Sequence, residues 1–408
     1  MVADPGLHWL FVDLNSYFAS AEQELRPELR GLPIAVVPVE ARTTCCIAVS
    51  YQARRYGVCT GMRVAEAQAR CPHLQLVEAR PKTYVELHHR LRAAIESCLP
   101  VQAALSCDEF CCELTGSQQQ VARAVALADM VKAAVRGVGS TLRCSVGLGP
   151  NRLLAKIAAG MQKPDGLFVI ERRHLPEALF CAELRDVPGI GGRMERRLRQ
   201  NGISSVRQLC TLSRGRMESL WGSVEGARLW MSLRGEDLPP LPLRAARSIS
   251  RQHILPPAQR NPEGARQVAL KMLQDCVRRL WKQGAWAGGV GLAVYYLGHD
   301  QAFEAHHRIQ PCQDAITLQE QFLPLLDGAP RQTPMGLCVF LFDLSAGGES
   351  RTMFPAPGEQ KRAAVSQAMQ DLQCRFGKDA VYLASVHGVR KEAPTRISFG
   401  PPLPLDEF

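Results

Sequence analysis

The sequence predicts a multidomain protein of mixed helix and sheet, of the α+β kind. Three observations carry that expectation. The chain has 408 residues, too many for one ordinary core, so two to four domains are expected. Its 46% hydrophobic and 22% charged residues are the proportions of a globular chain that lives in water. Short β-type apolar runs alternate with stretches of helical spacing in both halves of the sequence.

The elements follow in order. LHWLFVDL (7–14) predicts a strand, and Ser16 to Leu29 a helix with Ser16 at its N-cap. PIAVVPV (33–39) and CIAVSY (46–51) are short β-type runs, and RVAEAQARC (63–71) is a short helix. Tyr84 to Leu99 predicts a longer helix, and VQAALSCDEFCCEL (101–114) a strand, a turn and a strand. Val121 to Val135 has helical apolar spacing, TLRCSVGLG (141–149) is a strand, and Asn151 to Met161 a helix. From about 171 to 240 the chain turns helical and Arg-rich, punctuated by VPGIGG and QNGIS. EDLPPLPLRAARSISRQ (236–252), with few apolar anchors and Arg244, Arg247 and Arg251, has the composition of a linker. Beyond it Pro262 to Trp281, Asp314 to Leu326 and Glu359 to Arg375 predict helices. GGVGLAVYYLG (288–298), MGLCVFLFDL (335–344) and AVYLASV (380–386) predict strands.

Net charge is +10 with a pI near 9.0, which favours a polyanionic partner without separating nucleic acid from an anionic membrane. The fifteen cysteines contain no C-x-x-C pair and several lie in apolar runs, so a metal or disulfide framework is not expected and a reducing compartment is. No run of about 18 apolar residues appears, and no secretory signal pattern opens the chain. The expectation is a soluble, cytoplasmic protein with no membrane partner.

The chemistry starts at Asp13. A carboxylate at the tip of an apolar strand is costly to desolvate unless a cation answers it. Asp108 and Glu109, flanked by apolar residues in LSCDEFCCEL, converge on one point only at a hairpin turn, because successive strand residues face opposite ways. Asp13 from a neighbouring strand completes an all-oxygen set suited to Mg²⁺, and two such ions clamp the attacking and leaving oxygens of a phosphoryl displacement. The competing reading is a solvated hairpin tip and an edge cap. Against it stand Tyr51 and Arg54, one helical turn apart, and Lys163, together the donor types that hold a triphosphate.

FVDLNSYFA, AVSYQARRYGV, LSCDEFCCEL, NRLLAKIAAGMQKPDG and DVPGIGG occur in this order. The set resembles the Y-family translesion DNA polymerases over roughly the first 240 residues, in the manner of bacterial polymerase IV and the catalytic subunit of polymerase V. The resemblance implies a right-hand polymerase with two bridging Mg²⁺ ions, for which Mn²⁺ can substitute. It implies a palm (1–13 and 82–170), small fingers (14–81), a helix-hairpin-helix thumb (171–240), a linker (241–250), a little finger (251–350) and a C-terminal extension (351–408). Asp13 and Asp108 bridge the ions, Glu109 completes the site at the primer end, and the Leu14 carbonyl is a further ligand. Phe18 matches the residue that lies under the sugar and excludes a 2′-hydroxyl. Tyr17 beside it has the character of a core aromatic and is carried with Phe18 among the nucleotide contacts. Tyr51, Arg54 and Lys163 match the triphosphate contacts, and Ile47, with Cys45 and Gly61, the roof over the nascent base pair. Asn15 departs from the second Asp of many members, and its side chain should point away from the metals.

The implied function is error-prone, template-directed synthesis across damaged DNA, with no proofreading nuclease. Small fingers bury little surface and close weakly over the new pair. The partners are primer-template DNA, dNTP and, for regulation, a sliding clamp or other replication or SOS proteins, with a monomeric catalytic chain. PPLPLDEF (401–408) reads as a tail, since it lacks the Gln expected of a clamp ligand. Gly189 and Gly191 let the hairpin turn and offer N–H groups to phosphate, and Arg193, Arg247 and Arg251 are the basic DNA contacts. The region after the linker has the β-α-β-β-α-β order of the little finger. Two alternatives remain: a silent polymerase-like scaffold that recruits replication factors, which would lose the acids, and a plain helix-hairpin-helix DNA-binding module, which would leave them without purpose.

Overall fold

The computed structural model describes residues 6–240, 246–346, 358–390, 392–393, 400–402 and 404–405. The chain divides into two compact units, one of Met1–Val37, Cys45–Leu241 and Thr395–Phe408, the other of Pro38–Thr44 and Pro242–Pro394.

In the first unit β1 (Trp9–Leu14) leads into α1 (Tyr17–Leu25). Ser16 stands at the cap position in a left-handed conformation (φ 47°), with no capping bond from its side chain. The helix ends before the expected Leu29 because Pro27 cannot continue it, and 27–29 form a single 3₁₀ turn. β2 (Ile34–Val37), β3 (Ala48–Val49) and β4 (Gln75–Glu78) make a three-stranded sheet in the order β3-β2-β4, accompanied by α2 (Tyr51–Arg54) and α3 (Val64–Arg70). After α4 (Pro81–Glu96) come β5 (Ala103–Ala104), β6 (Glu109–Glu113), α5 (Val121–Val138), β7 (Cys144–Gly149), α6 (Arg152–Met161) and β8 (Leu167–Val169). β1 lies at the centre of a five-stranded sheet, β5-β6-β1-β7-β8.

Strand alternation divides that sheet's two faces. Leu10, Val12 and Leu14 face a core shared with Leu91 and Ile95 of α4 and Val131 and Val135 of α5. Trp9 and Phe11 face the other way, onto Ala155 and Ala159 of α6. Asn151 caps α6 by accepting the Leu154 N–H at 2.8 Å. Beyond the sheet, α7 (Gly192–Gln200), α8 (Val206–Thr211), α9 (Arg214–Trp221) and α10 (Val224–Ser232) close over their own apolar core, which also takes Leu154 and Ile157 of α6.

The second unit runs β9 (Ser248–Ile254), α11 (Pro262–Lys282), β10 (Ala285–Tyr296), β11 (Phe303–Cys312), α12 (Ala315–Asp327) and β12 (Pro334–Ala346), the expected β-α-β-β-α-β order. Its sheet, β11-β10-β12-β9, is antiparallel throughout, and α11 and α12 pack on one face through Leu273, Val277, Leu318 and Phe322. α13 (Glu359–Phe376) follows.

Two expectations change. Residues 248–250, placed in the linker, begin β9, where Ile249 supplies a core side chain; 241–245, with Arg244, lie outside the described residues. AVYLASV forms no strand. Ala384–Val389 is a 3₁₀ turn, because Val386 and Val389, three apart, both fall on the face that packs into the core. Half of the 401–408 tail, residues 403 and 406–408, lies outside the described residues. None of the fifteen cysteines is in a disulfide among the described residues. Among the described residues no helix is long and apolar enough to cross a membrane.

Candidate active site

Asp13 continues the Trp9 and Phe11 face of β1. The register sets it opposite Glu109 of β6 on one side and Ser145 of β7 on the other, so Asp13 and Glu109 share a face. Two glycines let α6 lie directly on that face. A Cβ on Gly147 would stand 2.0 Å from the Ala155 carbonyl oxygen, and one on Gly149 would stand 2.7 Å from the Ala155 nitrogen. The close approach delivers Lys156, whose Nζ donates to Glu109 Oε2 at 2.8 Å. The Leu14 N–H donates to the Asp108 carbonyl at 2.9 Å, which ties the turn before β6 to the end of β1. Two chain segments about a hundred residues apart thus bring their acids together.

Burial raises the Asp13 carboxyl from its ordinary 3.8 to about 6, and the charges of Asp108 and Glu109 add to the rise, while Lys163 at 2.6 Å pulls it back. Burial also raises Asp108, with a contribution from Glu109, against the Ser106 hydroxyl, which donates to Oδ1 at 2.6 Å, and the Lys163 charge. Each acid is turned onto a lysine or a hydroxyl. Among the described residues, no three His, Cys, Asp or Glu groups form a ready-made metal cage. The donor chemistry nonetheless fits a hard divalent cation. The set is all oxygen, the acids are largely buried, and they raise one another's affinity for positive charge.

Tyr51, Arg54 and Lys163 gather beside the acids. The Arg54 guanidinium lies 5.5 Å from the Tyr51 ring centroid. Burial raises the Tyr51 hydroxyl, the Arg54 and Lys163 charges lower it, and Asp13 raises it. The half-buried Phe18 ring stacks on Tyr84, with centroids 4.7 Å apart and planes at 15°. Tyr84 is itself anchored through its hydroxyl on Glu22, 2.6 Å away. Ile47, Cys45 and Gly61 lie on one stretch: Cys45 bridges Arg63, and the Gly61 N–H donates to the Cys46 carbonyl at 2.8 Å. Tyr17 is a correction. Its ring is buried in the core and its hydroxyl donates to the Tyr84 carbonyl at 2.6 Å, so it is not turned toward a nucleotide.

Gly189 has φ +91°, open only to glycine at low cost, whereas Gly191 is extended and caps α7. Arg193 is exposed on α7, and Arg196 with it; Arg199 pairs with Glu195 at 3.0 Å and Arg197 donates to the Leu220 carbonyl at 3.0 Å. Arg247 is exposed just before β9. Arg251 is the second correction. It points inward, pairs with the buried Asp275 of α11 at 2.9 Å and donates to the Ala393 carbonyl, so it is a core ion-pair partner.

The sequence reading missed Ser106 and Lys156. Lys156 had a signal, a single cation inside the apolar helix run LLAKIAA. Asn15 is bonded to Ser145 and to the Asp165 amide, and Ser145 stands opposite Asp13 in the register, so the expectation that Asn15 turns away is not met.

The impB/mucB/samB family matches residues 12–160, and its C-terminal domain matches 246–352. A thumb domain described for DNA polymerase iota matches 185–237. DNA polymerase IV of Moorella thermoacetica is 31% identical over 394 residues, covering 92% of this chain and 95% of its own. DNA polymerase IV of Pelotomaculum thermopropionicum is 34% identical over 285 residues, covering 68% of this chain and 70% of its own. Among solved structures, a Y-family DNA polymerase chimera superposes with a TM-score of 0.68 at 21% identity, covering 83% of this chain and all of that one. The half-buried acids at the ends of β1 and β6, the matched regions and the relatives along nearly the whole length agree: the chain belongs to the bacterial Y-family of translesion DNA polymerases and is a DNA-directed DNA polymerase.

Proposed function

We propose that the site at the ends of β1 and β6 joins an incoming dNTP to a primer 3′-hydroxyl on template DNA, with two Mg²⁺ ions as resident cofactors and Mn²⁺ as a substitute. The observation that carries this reading is the convergence of Asp13, Asp108 and Glu109, buried enough to hold Asp13 near 6, beside Tyr51, Arg54 and Lys163. Asp13 and Asp108, with the Leu14 carbonyl, would hold the ions, and Glu109 would close the primer side. When bound, the ions lower the pKa of the attacking hydroxyl and screen the leaving pyrophosphate.

The chain's own work is positioning. Lys163 and the Arg54 fork orient the triphosphate, and the Tyr51 hydroxyl adds a donor. The Phe18 ring, backed by Tyr84, fills the space a 2′-hydroxyl would need and selects against ribonucleotides by overlap. Lys156 holds Glu109 in place. Duplex DNA engages the exposed Arg193 and the Gly189 turn through its backbone, without reading sequence. Exposed Arg247 is a further phosphate contact. We also propose a cytoplasmic location, where a bacterial cell keeps its DNA and dNTP.

A silent scaffold or a bare DNA-binding module has no use for three half-buried acids beside a triphosphate donor set. Primer extension with Mg²⁺ and dNTPs tests this reading. Wild-type chain extends; Asp108→Ala binds primer-template with unchanged affinity and does not extend. Extension by Asp108→Ala, or none by the wild type, overturns the proposal.

A further inference from the structure

We propose that Asn15 is a positioning residue for the incoming nucleotide, acting through the turn at 163–166 that carries Lys163. The inference rests on the reading of Lys163 as a triphosphate contact and says what places that lysine.

Asn15 directly follows β1, two residues beyond Asp13, and is buried. Its carboxamide uses both ends. Oδ1 accepts the Asp165 N–H at 2.7 Å, and Nδ2 donates to Ser145 Oγ at 3.0 Å. Ser145 Oγ in turn accepts the Gly166 N–H at 3.3 Å. The end of β1 is therefore bonded, directly and through β7, to two successive amides of the turn.

The turn needs such support. Asp165 has φ +53°, a conformation side chains disfavour. A Cβ on Gly166 would meet the Gln162 carbonyl oxygen at 1.9 Å. From the far side the nearly buried Lys132 donates to the Asp165 and Gly166 carbonyls, and Arg136 pairs with the Asp165 carboxylate at 2.9 Å. Held between Asn15 and Lys132, the turn presents Lys163, whose Nζ lies 2.6 Å from Asp13. The strand end that supplies Asp13 thus also fixes the turn that supplies Lys163, so acid and cation are placed by one scaffold.

The test is a double-mutant cycle on the full chain bound to primer-template with a dideoxy-terminated primer, reading equilibrium affinity for the correct dNTP. Loss of the direct hydrogen bond to the Asp165 amide, together with the one to Ser145, predicts that Asn15→Ala weakens dNTP binding about three- to tenfold, with DNA affinity unchanged. In a Lys163→Ala background the same substitution changes dNTP affinity by less than about twofold. Asn15→Asp, which keeps the acceptor for the Asp165 amide, recovers most of the loss. Lys132→Met loosens the turn from its other side and replaces Asn15→Ala in the cycle if that variant does not fold. An unchanged dNTP affinity in Asn15→Ala, or an equal loss with and without Lys163, overturns the inference. Should Lys163→Ala itself leave dNTP affinity unchanged, the assignment of Lys163 falls, and that result is distinguishable from the first two.

Discussion

In the metal-free protein Asp13 should oppose folding at neutral pH, so Asp13→Asn should stabilise the chain while abolishing synthesis. The magnitude follows from the site. Folding raises this carboxyl from 3.8 to about 6 through burial and the neighbouring Asp108 and Glu109, net of its ion pair with Lys163. Below its ordinary value both folded and unfolded chains keep the proton and no difference arises. Between the two values the folded chain binds more protons, so stability falls as pH rises, and above about 6 the full contribution is lost. A rise of this size corresponds to about 3 kcal/mol. Asparagine has the same shape and carries no charge, so the advantage of Asp13→Asn should grow from near zero at about pH 4 to between about 1 and 3 kcal/mol at about pH 8. Urea denaturation in EDTA across that range, following the unit that contains β1, measures it. A variant that loses stability at pH 8, or whose difference from wild type does not change with pH, refutes the reasoning.

Phe18→Ala should raise ribonucleotide use about tenfold or more with DNA synthesis still measurable, read as the ratio of efficiencies for a matched dNTP and rNTP. Arg251→Ala should destabilise the second unit by about 3 kcal/mol, since Asp275 is buried and loses one of its three cations, Lys271 and Arg278 being the others. Burial pushes Asp275 upward, but Arg251, Lys271 and Arg278 hold it below its ordinary value, so this stabilisation is present at neutral pH and is lost as pH falls through the acid range. The salt dependence of DNA binding should not move in Arg251→Ala, whereas Arg193→Ala should reduce its slope by about 1 without changing stability. Gly147→Ala should cost about 3 kcal/mol or more and pull Lys156 away from Glu109, because the new methyl would occupy the space of the Ala155 carbonyl; thermal melting reads the first effect and primer extension the second.

The acids were legible because of where they sit. A carboxylate at the end of WLFVDL, and a second pair inside LSCDEFCCEL, are too costly to bury without a purpose. The second unit was legible as an order of elements, although β11 was missed: alternating FEAHHRIQPC has few of the apolar residues that mark a strand, being an edge strand with one face in water. Side-chain direction was harder. Tyr17 and Phe18 are neighbours on one helix, and Tyr17, although it has the character of a core aromatic, drops out of the nucleotide contacts only once its hydroxyl is seen on the Tyr84 carbonyl. The alternation of Ile249, Arg251 and His253 does put Arg251 on the inward face, but the acid that receives it lies on α11, far along the chain. Lys156 and Asp165 become recognisable only once the sheet brings the ends of β1, β6 and β7 together, since their partners are distant in sequence, whereas Ser106 bonds Asp108 two residues on and its role depends on the turn's geometry.

The central claim is that Asp13, Asp108 and Glu109 jointly hold divalent ions at the point of nucleotide transfer. Titrating Mn²⁺, followed by electron paramagnetic resonance, into the chain bound to dideoxy-terminated primer-template and the matched dNTP counts those ions. Two tightly held ions in the wild type, with at least one lost in Asp108→Asn, is the predicted result. The same number of ions held equally tightly in Asp108→Asn and in Asp13→Asn would contradict the account.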